Sequence, residues 1–230
     1  MRGQRLPEVT FIKRVVCEGL GTLLLVATVV GSGVMGQRLC QGNLAVALLA
    51  NTLATGAGLA VLIAVFGPVS GAHFNPVVTA VEIAFNRQTP RDGAAYIGAQ
   101  LAGGLLGTML AHAMFALPLW QPSLRVRTGG PQWLSEAVAT FGLLLVIAAV
   151  SRHRPGAAPL AVGGFITAAY WFTASTSFAN PAVTLARAFT DTFAGIAPSS
   201  VPGFVAAQAA GGAVGALVGR WLFAPEKPRA

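Results

Sequence analysis

Charged residues are scarce in this sequence. Asp, Glu, Lys and Arg together make up 10% of its 230 residues, whereas soluble domains contain roughly 25%. Hydrophobic residues make up 54%. A chain with so little charge lacks the polar surface that a soluble domain of this length exposes to water. The composition therefore predicts a protein that lies in a lipid bilayer.

Cysteine and histidine are also rare, with two Cys and three His residues. Cys17 falls inside the first long apolar segment and Cys40 follows it, so the two thiols lie at different heights and no disulfide is expected. The His and Cys residues show no metal-site spacing, and the sequence contains no Walker motif or hydrolytic triad. We therefore expect no metal, no cofactor and no catalytic residues, and the chain is not expected to be an enzyme.

Long apolar segments are abundant. A helix needs about 20 apolar residues to cross the hydrocarbon core, and six segments approach or exceed this length without a Lys or Arg in their middle. They lie at roughly 15–36, 43–67, 94–117, 133–151, 158–175 and 202–224. The stretch MRGQRLPEVTFIKR resembles the start of a signal peptide, but the apolar run after it is too long and five more follow. Retention of the first segment as a span is therefore favoured.

The net charge of +8 is concentrated between these segments. If the N-terminus lies inside the cell, six spans return the C-terminus to the inside, and the inner connections hold eleven basic residues against four outside. The inner set is Arg2, Arg5, Lys13, Arg14, Arg87, Arg91, Arg152, Arg154, Arg220, Lys227 and Arg229, and the outer set is Arg38, Arg125, Arg127 and Arg187. This positive-inside distribution predicts a multi-pass protein of the inner (plasma) membrane with both termini cytoplasmic, and no nucleic-acid partner.

Three landmarks occur twice in the same order, which indicates an internal duplication. Each copy has an acidic residue in its first span, an Asn-Pro pair, and a Gln-x-x-Gly-Gly motif in its last span. The pairs are Glu18 and Glu136, Asn75-Pro76 and Asn180-Pro181, and Gln100 and Gln208. Because each copy has three spans, the second copy enters the membrane from the opposite side. We expect a single domain over residues 1–230, with inverted repeats at approximately 12–117 and 131–225.

Each Asn-Pro pair predicts the start of a short helix. Asn is a strong N-cap, and Pro suits the first helical position because its missing N–H costs nothing there. The apolar runs that follow, VVTAVEIAF and AVTLARAFT, are too short to span. In an inverted repeat two such half-helices meet with their N-termini near the midplane, where positive potential and the Asn amides favour neutral, hydrogen-bonding solutes over cations. The pattern predicts a passive channel for uncharged solutes.

SGAHFNPVVT and NPAVT, together with the paired Glu and Gln-x-x-Gly-Gly landmarks, resemble the aquaporin or major intrinsic protein family. The resemblance implies the aquaporin fold, an all-α integral membrane protein with six transmembrane helices and two re-entrant half-helices, assembled as a homotetramer. It also implies that His73 lines the inner half of the pore. The corresponding pore motifs are Asn75, Pro76 and Val77, and Asn180, Pro181 and Ala182.

The sequence departs from the family pattern at the selectivity filter. Val183 stands directly after the second Asn-Pro-Ala, where the family usually has Arg, and Thr55 stands where water channels usually carry an aromatic. The resemblance further places Ala168, and Ser177 or Phe178, at the filter. Val77 replaces the usual Ala of the first motif with little expected effect, and Thr184 replaces the Asp usual in glycerol channels. Val183 and Thr55 imply a wide filter without its arginine, and Thr184 weakens the case for an ordinary glycerol facilitator.

The role of Arg187 stays open at this point. It lies one helical turn beyond Val183, so it either guards the outer mouth or forms a structural ion pair with Asp191, of which the ion pair is favoured. The segment STSFANPAVTLARAFTDTFAGIAP resembles the corresponding segment of a bacterial subgroup of these channels, some members of which are associated with arsenic resistance. The implied solutes are water, glycerol-like polyols and uncharged metalloid acids such as arsenous acid.

Glu18 and Glu136 support an alternative from another class of protein. Acidic residues within spans are candidates for proton relays, which would make the chain a proton-coupled secondary transporter. Their symmetric placement favours a structural role, in which each carboxylate accepts hydrogen bonds from the backbone of a re-entrant loop. His73 presents a similar choice between a proton site and a hydrogen-bond donor in the pore wall, and the donor is favoured.

Overall fold

Residues 9–224 are described by the computed structural model. They form eight α-helices. The helices are α1 (Phe11–Leu39), α2 (Leu44–Ser70), α3 (Pro76–Ala84), α4 (Pro90–Met114), α5 (Gly130–His153), α6 (Ala158–Phe172), α7 (Pro181–Arg187) and α8 (Val201–Phe223). The two longest connections are residues 115–129 between α4 and α5 and residues 188–200 between α7 and α8. Four basic residues of the predicted inner set and the predicted end of the second repeat lie outside the described residues. The four are Arg2, Arg5, Lys227 and Arg229.

Five of these helices, α1, α2, α4, α5 and α8, are long and apolar enough to cross a membrane. The remaining predicted span, at 158–175, contains the shorter helix α6, with 15 residues. A 3-10 turn at Pro155–Ala157 leads directly into it. Turn and helix together measure about 29 Å, close to the ~30 Å thickness of the hydrocarbon core. The shorter helix therefore still suffices for a crossing.

The two halves of the chain have the same order of elements: two membrane-crossing helices, a half-helix and a further membrane-crossing helix. α1 packs on α4 as α5 packs on α8, and α2 meets α6 between the halves. The half-helices α3 and α7 have 9 and 7 residues. Each packs on the last long helix of both halves, α3 on α4 and α8, and α7 on α8 and α4. The half-helices thus lie inside the bundle, where the long helices shield their ends from lipid.

Glycines allow the long helices to cross closely. A Cβ atom on Gly103 of α4 would overlap the Gly19 carbonyl of α1, and a Cβ on Gly211 of α8 would overlap the Ala137 carbonyl of α5. The small residues of the two Gln-x-x-Gly-Gly motifs therefore serve helix packing, as their spacing indicates. Because the backbones of the long helices approach each other at equivalent points in both halves, the two half-helices lie at equivalent positions.

We expect Gly103→Ala to destabilise the protein and Gly98→Ala not to. Both residues lie in α4, but Gly103 faces the α1 backbone, whereas no atom outside its own helix backbone lies within 4 Å of a Cβ built on Gly98. Forcing the helices apart costs about 1–3 kcal/mol, while Ala in place of an exposed helical Gly gains up to about 1 kcal/mol. Thermal unfolding in detergent measures both, and equal melting temperatures for the two variants would contradict the packing role.

Candidate functional site

The two half-helices meet head to head through their capping asparagines. Asn75 caps α3 by accepting the Val77 N–H at 2.9 Å, and its amide nitrogen donates to the Ala179 carbonyl at 2.7 Å. Asn180 caps α7 by accepting the Ala182 N–H at 2.9 Å, and its amide nitrogen donates to the Phe74 carbonyl at 2.7 Å. Each asparagine therefore caps its own half-helix and holds the loop that precedes the other.

The loops before the two asparagines share an unusual backbone. Ala72 and Phe74, three residues and one residue before Asn75, have φ values of 50° and 48°. Ser177 and Ala179 occupy the same places before Asn180, with φ values of 50° and 49°. Non-glycine residues pay about 1–2 kcal/mol each in this left-handed region. The surrounding structure must compensate for that cost in both repeats.

Glu18 provides the compensation in the first repeat. Its carboxylate accepts hydrogen bonds from the Ser70 hydroxyl at 2.7 Å and from the backbone N–H groups of His73 at 3.0 Å and Phe74 at 2.7 Å. The Gln100 side chain donates a fourth bond at 2.8 Å. Glu18 is fully buried, and these four donors replace the water that a buried carboxylate otherwise lacks.

Glu136 plays the same part in the second repeat. Its carboxylate accepts from the N–H groups of Phe178 and Ala179, each at 2.9 Å, and from the Gln208 side chain at 2.6 Å. Both carboxylates make the contacts expected of a structural role, because each binds backbone N–H groups of a re-entrant loop. Neither acid lines the cavity described below.

A threonine in each half-helix completes these networks. This role was not predicted from the sequence for either residue. Thr79 accepts a bond from Gln100 at 3.0 Å, and Thr184 accepts one from Gln208 at 2.8 Å. Each threonine lies four residues after its capping asparagine, which places it one turn into the half-helix. That matched spacing in the two repeats is the signal that could have identified the pair.

His73 lines the cavity, and its ring lies against Thr79. Its Nδ1 lies 3.1 Å from the Thr79 hydroxyl. The equivalent hydroxyl in the second repeat, that of Thr184, donates to the Asn180 carbonyl at 2.8 Å. Thr79 has no such backbone acceptor among the hydrogen bonds of residues 9–224, so its proton is free to be donated to Nδ1. This arrangement favours the tautomer with the proton on Nε2.

One cavity of about 840 Å³ passes the point where the half-helices meet. One end, which the sequence predicts to face the cell interior and which we call the inner mouth, is lined by Phe85, Arg87, Arg152 and Arg220. Farther along, its walls include most residues predicted for the pore or the filter. These are His73, Asn75, Asn180, Thr55, Ser177, Phe178 and Val183. Both Ser177 and Phe178 contribute to the wall, so the choice between them left open by the sequence does not arise.

Ala168 does not line this cavity, contrary to the prediction from the sequence. It lies on the exposed face of α6, whereas Val162, Ile166 and Tyr170 line the cavity. These three residues are spaced four apart and share one helix face, while Ala168 lies on the opposite face. The Tyr170 hydroxyl lies 3.4 Å from the Thr55 hydroxyl of α2. The α6 side chain that meets Thr55 beside the cavity is therefore Tyr170 and not Ala168.

The Val77 side chain has room in the bundle because the residue facing it in α8 is a glycine. A Cβ atom on Gly212 would overlap the Val77 side chain, so Val77 occupies the space that a larger residue in α8 would need. On the other side of the bundle, a Cβ on Gly104 would lie 3.2 Å from the Ala182 carbonyl. The first motif therefore accommodates its larger apolar residue by packing, without entering the cavity wall.

Arg187 lines the cavity at the end of α7 and is 2% exposed. Its guanidinium carbon lies 3.3 Å from the centroid of the Phe178 ring, and its Nε donates to the Ala194 carbonyl. The favoured ion pair with Asp191 is absent from the described part of the chain. The Asp191 carboxylate instead accepts the Leu124 N–H at 3.0 Å. That prediction is wrong, because residues 188–197 fold back over Arg187 and supply a carbonyl group in place of the carboxylate.

Arg127 approaches the same ring from the connection between α4 and α5. Its guanidinium carbon lies 5.2 Å from the Phe178 centroid, and its Nε donates to the Gly195 carbonyl at 2.9 Å. Burial, and then the charge of Arg125, lowers the pKa of Arg127 to about 10, which leaves it charged at neutral pH. Unlike Arg187, it does not line the cavity. The sequence showed its place in a loop but not its contact with Phe178.

A bundle of membrane-crossing helices that encloses two capped half-helices beside a cavity with apolar walls and a few polar groups defines an integral membrane channel protein. Comparisons with known proteins agree. Residues 5–179 match the family described as Major intrinsic protein. The chain is 56% identical over 221 residues to the protein named Aquaglyceroporin AqpS of Rhizobium meliloti (strain 1021), covering 96% of this chain and 94% of that protein.

Two further relatives extend the likeness. The chain is 30% identical over 243 residues to the protein named Probable aquaporin AqpM of Archaeoglobus fulgidus, covering 93% of this chain and 96% of that protein. The X-ray structure of the aquaglyceroporin from Plasmodium falciparum superposes with a TM-score of 0.70 at 21% identity, over 95% of this chain and 98% of that one. This second comparison confirms the predicted aquaporin fold.

The chain belongs to the major intrinsic protein family. It is therefore a multi-pass membrane channel for small solutes and not an enzyme, as the sequence predicted.

Replacing Glu136 with Gln should destabilise the second re-entrant loop. An amide offers one acceptor oxygen where the carboxylate meets three donors, and its NH₂ group would face an N–H. Each buried donor left unpaired costs about 1–3 kcal/mol. We expect a lower melting temperature and a loss of solute flux. The control is Asp191→Asn, at an exposed carboxylate that accepts a single backbone N–H and can keep that bond. Equal stability of the two variants would contradict the role of Glu136.

Proposed function

We propose that this protein is a passive channel for small uncharged solutes, namely water and glycerol-like polyols. The observation that carries the proposal is the asparagine pair. Each amide nitrogen has two hydrogens, and one of them is used in the bond to the opposite loop. Asn75 and Asn180 both line the cavity, so the second hydrogen of each is available to a passing hydroxyl or water oxygen.

The charges around the cavity favour neutral solutes. Among the described residues that line it, the only carboxylate is that of Glu82, which pairs with Arg87 at 2.5 Å at the inner mouth. In the middle of the channel, a cation meets amide donors but no negative charge. A neutral solute exchanges its water partners for these groups, whereas a cation loses hydration without compensation.

The side chains at the filter support passage of solutes larger than water. Val183 and Thr55 line the cavity where the family usually carries Arg and an aromatic, and both are smaller than the residues they replace. The 56% identical relative is named an aquaglyceroporin. Arsenous acid, As(OH)₃, is uncharged near neutral pH and presents hydroxyl groups like a small polyol, so we extend the proposal to this class of metalloid acid.

The contacts of Glu18 and Glu136 weigh against the alternative of a proton-coupled transporter. A relay needs acids that exchange protons with the transport path. Both carboxylates are fully buried away from the cavity and accept several N–H bonds each. Protonation of either acid would disrupt a loop that shapes the channel. A structural role therefore agrees better with their surroundings.

We further propose that the channel is a homotetramer in the plasma membrane with both termini cytoplasmic. Three arginines line the inner mouth, Arg87, Arg152 and Arg220. Their position at the end of the bundle where α1 begins agrees with the positive-inside rule. Many large apolar side chains are exposed along the long helices, as lipid and neighbouring protomers require.

Light scattering on proteoliposomes tests the proposal. Vesicles are challenged in turn with gradients of sucrose, glycerol and urea, and arsenite uptake is measured in parallel. We expect glycerol and arsenite to enter faster than into protein-free vesicles. Passage of water alone would contradict the wide filter and the metalloid extension. Water, glycerol and arsenite rates equal to those of empty vesicles would contradict the channel itself.

Val183→Arg should slow larger solutes more than water. The arginine would fill the space beside Thr55 and Tyr170, so we expect glycerol flux to fall by about tenfold or more, equivalent to about 1.4 kcal/mol of barrier, with a smaller fall for water. Val183→Leu adds volume without charge and is the matched variant. Light scattering with sucrose and glycerol gradients measures both rates, and equal loss of water and glycerol would contradict the assignment of Val183 to the filter.

A further inference from the structure

Arg187 is a buried cation without an anionic partner. Within residues 9–224 it forms no salt bridge, and its one hydrogen bond joins Nε to the Ala194 carbonyl. Arginines that serve only to hold a protein core together are normally paired with an acid, because an uncompensated buried charge is costly. The remaining face of the guanidinium group has a different neighbour, since Arg187 lines the channel cavity.

Its position on α7 places it next to the filter. Arg187 follows Val183 by four residues, which puts the two side chains on one helix face about 6 Å apart along the axis. Phe178, which also lines the cavity, lies directly against the guanidinium group at 3.3 Å. The cation therefore belongs to the same stretch of wall as the residues that set the opening.

The segment after α7 holds the guanidinium group in place. The Ile196 N–H donates to the Arg187 carbonyl at 3.2 Å, next to the Ala194 carbonyl that accepts from Nε. This segment is itself fixed at its start, where His112 Nε2 lies 2.7 Å from the Thr190 hydroxyl. Stacking on Phe178 fixes the other side. A charge held on both sides acts at a defined point of the channel.

We propose that Arg187 supplies the positive charge of the outer constriction, so that width and charge are set by different residues, Val183 and Arg187. The inference rests on the proposed channel function and names a further specificity-determining residue. Its consequence is that the channel admits polyol-sized solutes and still rejects cations. The guanidinium N–H groups that have no protein partner among the described residues also offer donors to a passing oxygen atom.

Arg127 provides a natural control. Arg187 is buried and Arg127 is half-buried. Both contact the Phe178 ring, and both donate to a carbonyl of the segment after α7. Only Arg187 lines the cavity. Loss of either arginine removes a packing contact, but only loss of Arg187 removes a charge from the channel.

The test measures cation leak and glycerol flux on the same proteoliposomes. Leak is followed with an internal pH dye and with potassium release under a clamped membrane potential. Arg187→Met should raise the leak by at least about tenfold, with glycerol flux retained or increased. Arg187→Lys should keep the leak low because the charge is preserved, and Arg127→Met should also keep it low. A leak in Arg187→Met equal to that of the unmodified protein would overturn the proposal.

A second pair of variants leaves Arg187 untouched, in case its replacement prevents folding. Val183→Glu places a carboxylate one turn away, where it would neutralise the guanidinium charge, and Val183→Gln has the same shape without charge. We expect a higher cation leak with Glu than with Gln. Equal leaks would contradict the role of Arg187. If the unmodified protein passes glycerol no faster than empty vesicles, the channel function itself fails, which is a separate outcome.

Discussion

The structure depends on satisfying backbone hydrogen bonds in the interior of a membrane protein. Two stretches of non-helical chain precede Asn75 and Asn180, and each contains at least two non-glycine residues with left-handed backbone. Such a backbone is tolerated at membrane depth only when protein groups replace water. Glu18 and Glu136 do so by binding N–H groups of the loops. The two carboxylates thereby hold the loops in the shape that lets the half-helices meet head to head through Asn75 and Asn180.

The same constraint shapes the solute path. The acids that could carry protons are engaged with the loops, and the cavity beside the loops presents amide groups, backbone and neutral side chains. A rigid wall of this kind conducts passively and discriminates by hydrogen bonding, size and charge. In the filter that we propose, size and charge are set by different residues: Val183 leaves space, and Arg187, held by Phe178, contributes a positive charge.

Much of this arrangement could be predicted from the sequence, because its signals are local or repeated. Apolar length identified the spans, and Asn-Pro identified both half-helices through capping. The predicted position of Ala168 in the cavity wall was wrong, because it rested on the resemblance and not on which face of α6 points inward. The periodicity of α6, which aligns Ile166 with Tyr170, would have corrected it. The surroundings of Arg187 could not be predicted, since its partners Ala194 and Phe178 come together only through folding of the segments on either side of α7.

The most direct test of the channel is whether it can concentrate a solute. Proteoliposomes would be loaded with radiolabelled glycerol at equal concentration on both sides, and a pH gradient would then be imposed. A passive channel fixed by Glu18 and Glu136 predicts that the internal and external concentrations stay equal, while exchange remains fast. Accumulation that appears with the gradient and disappears with a proton ionophore would contradict this mechanism and identify the two acids as a proton relay.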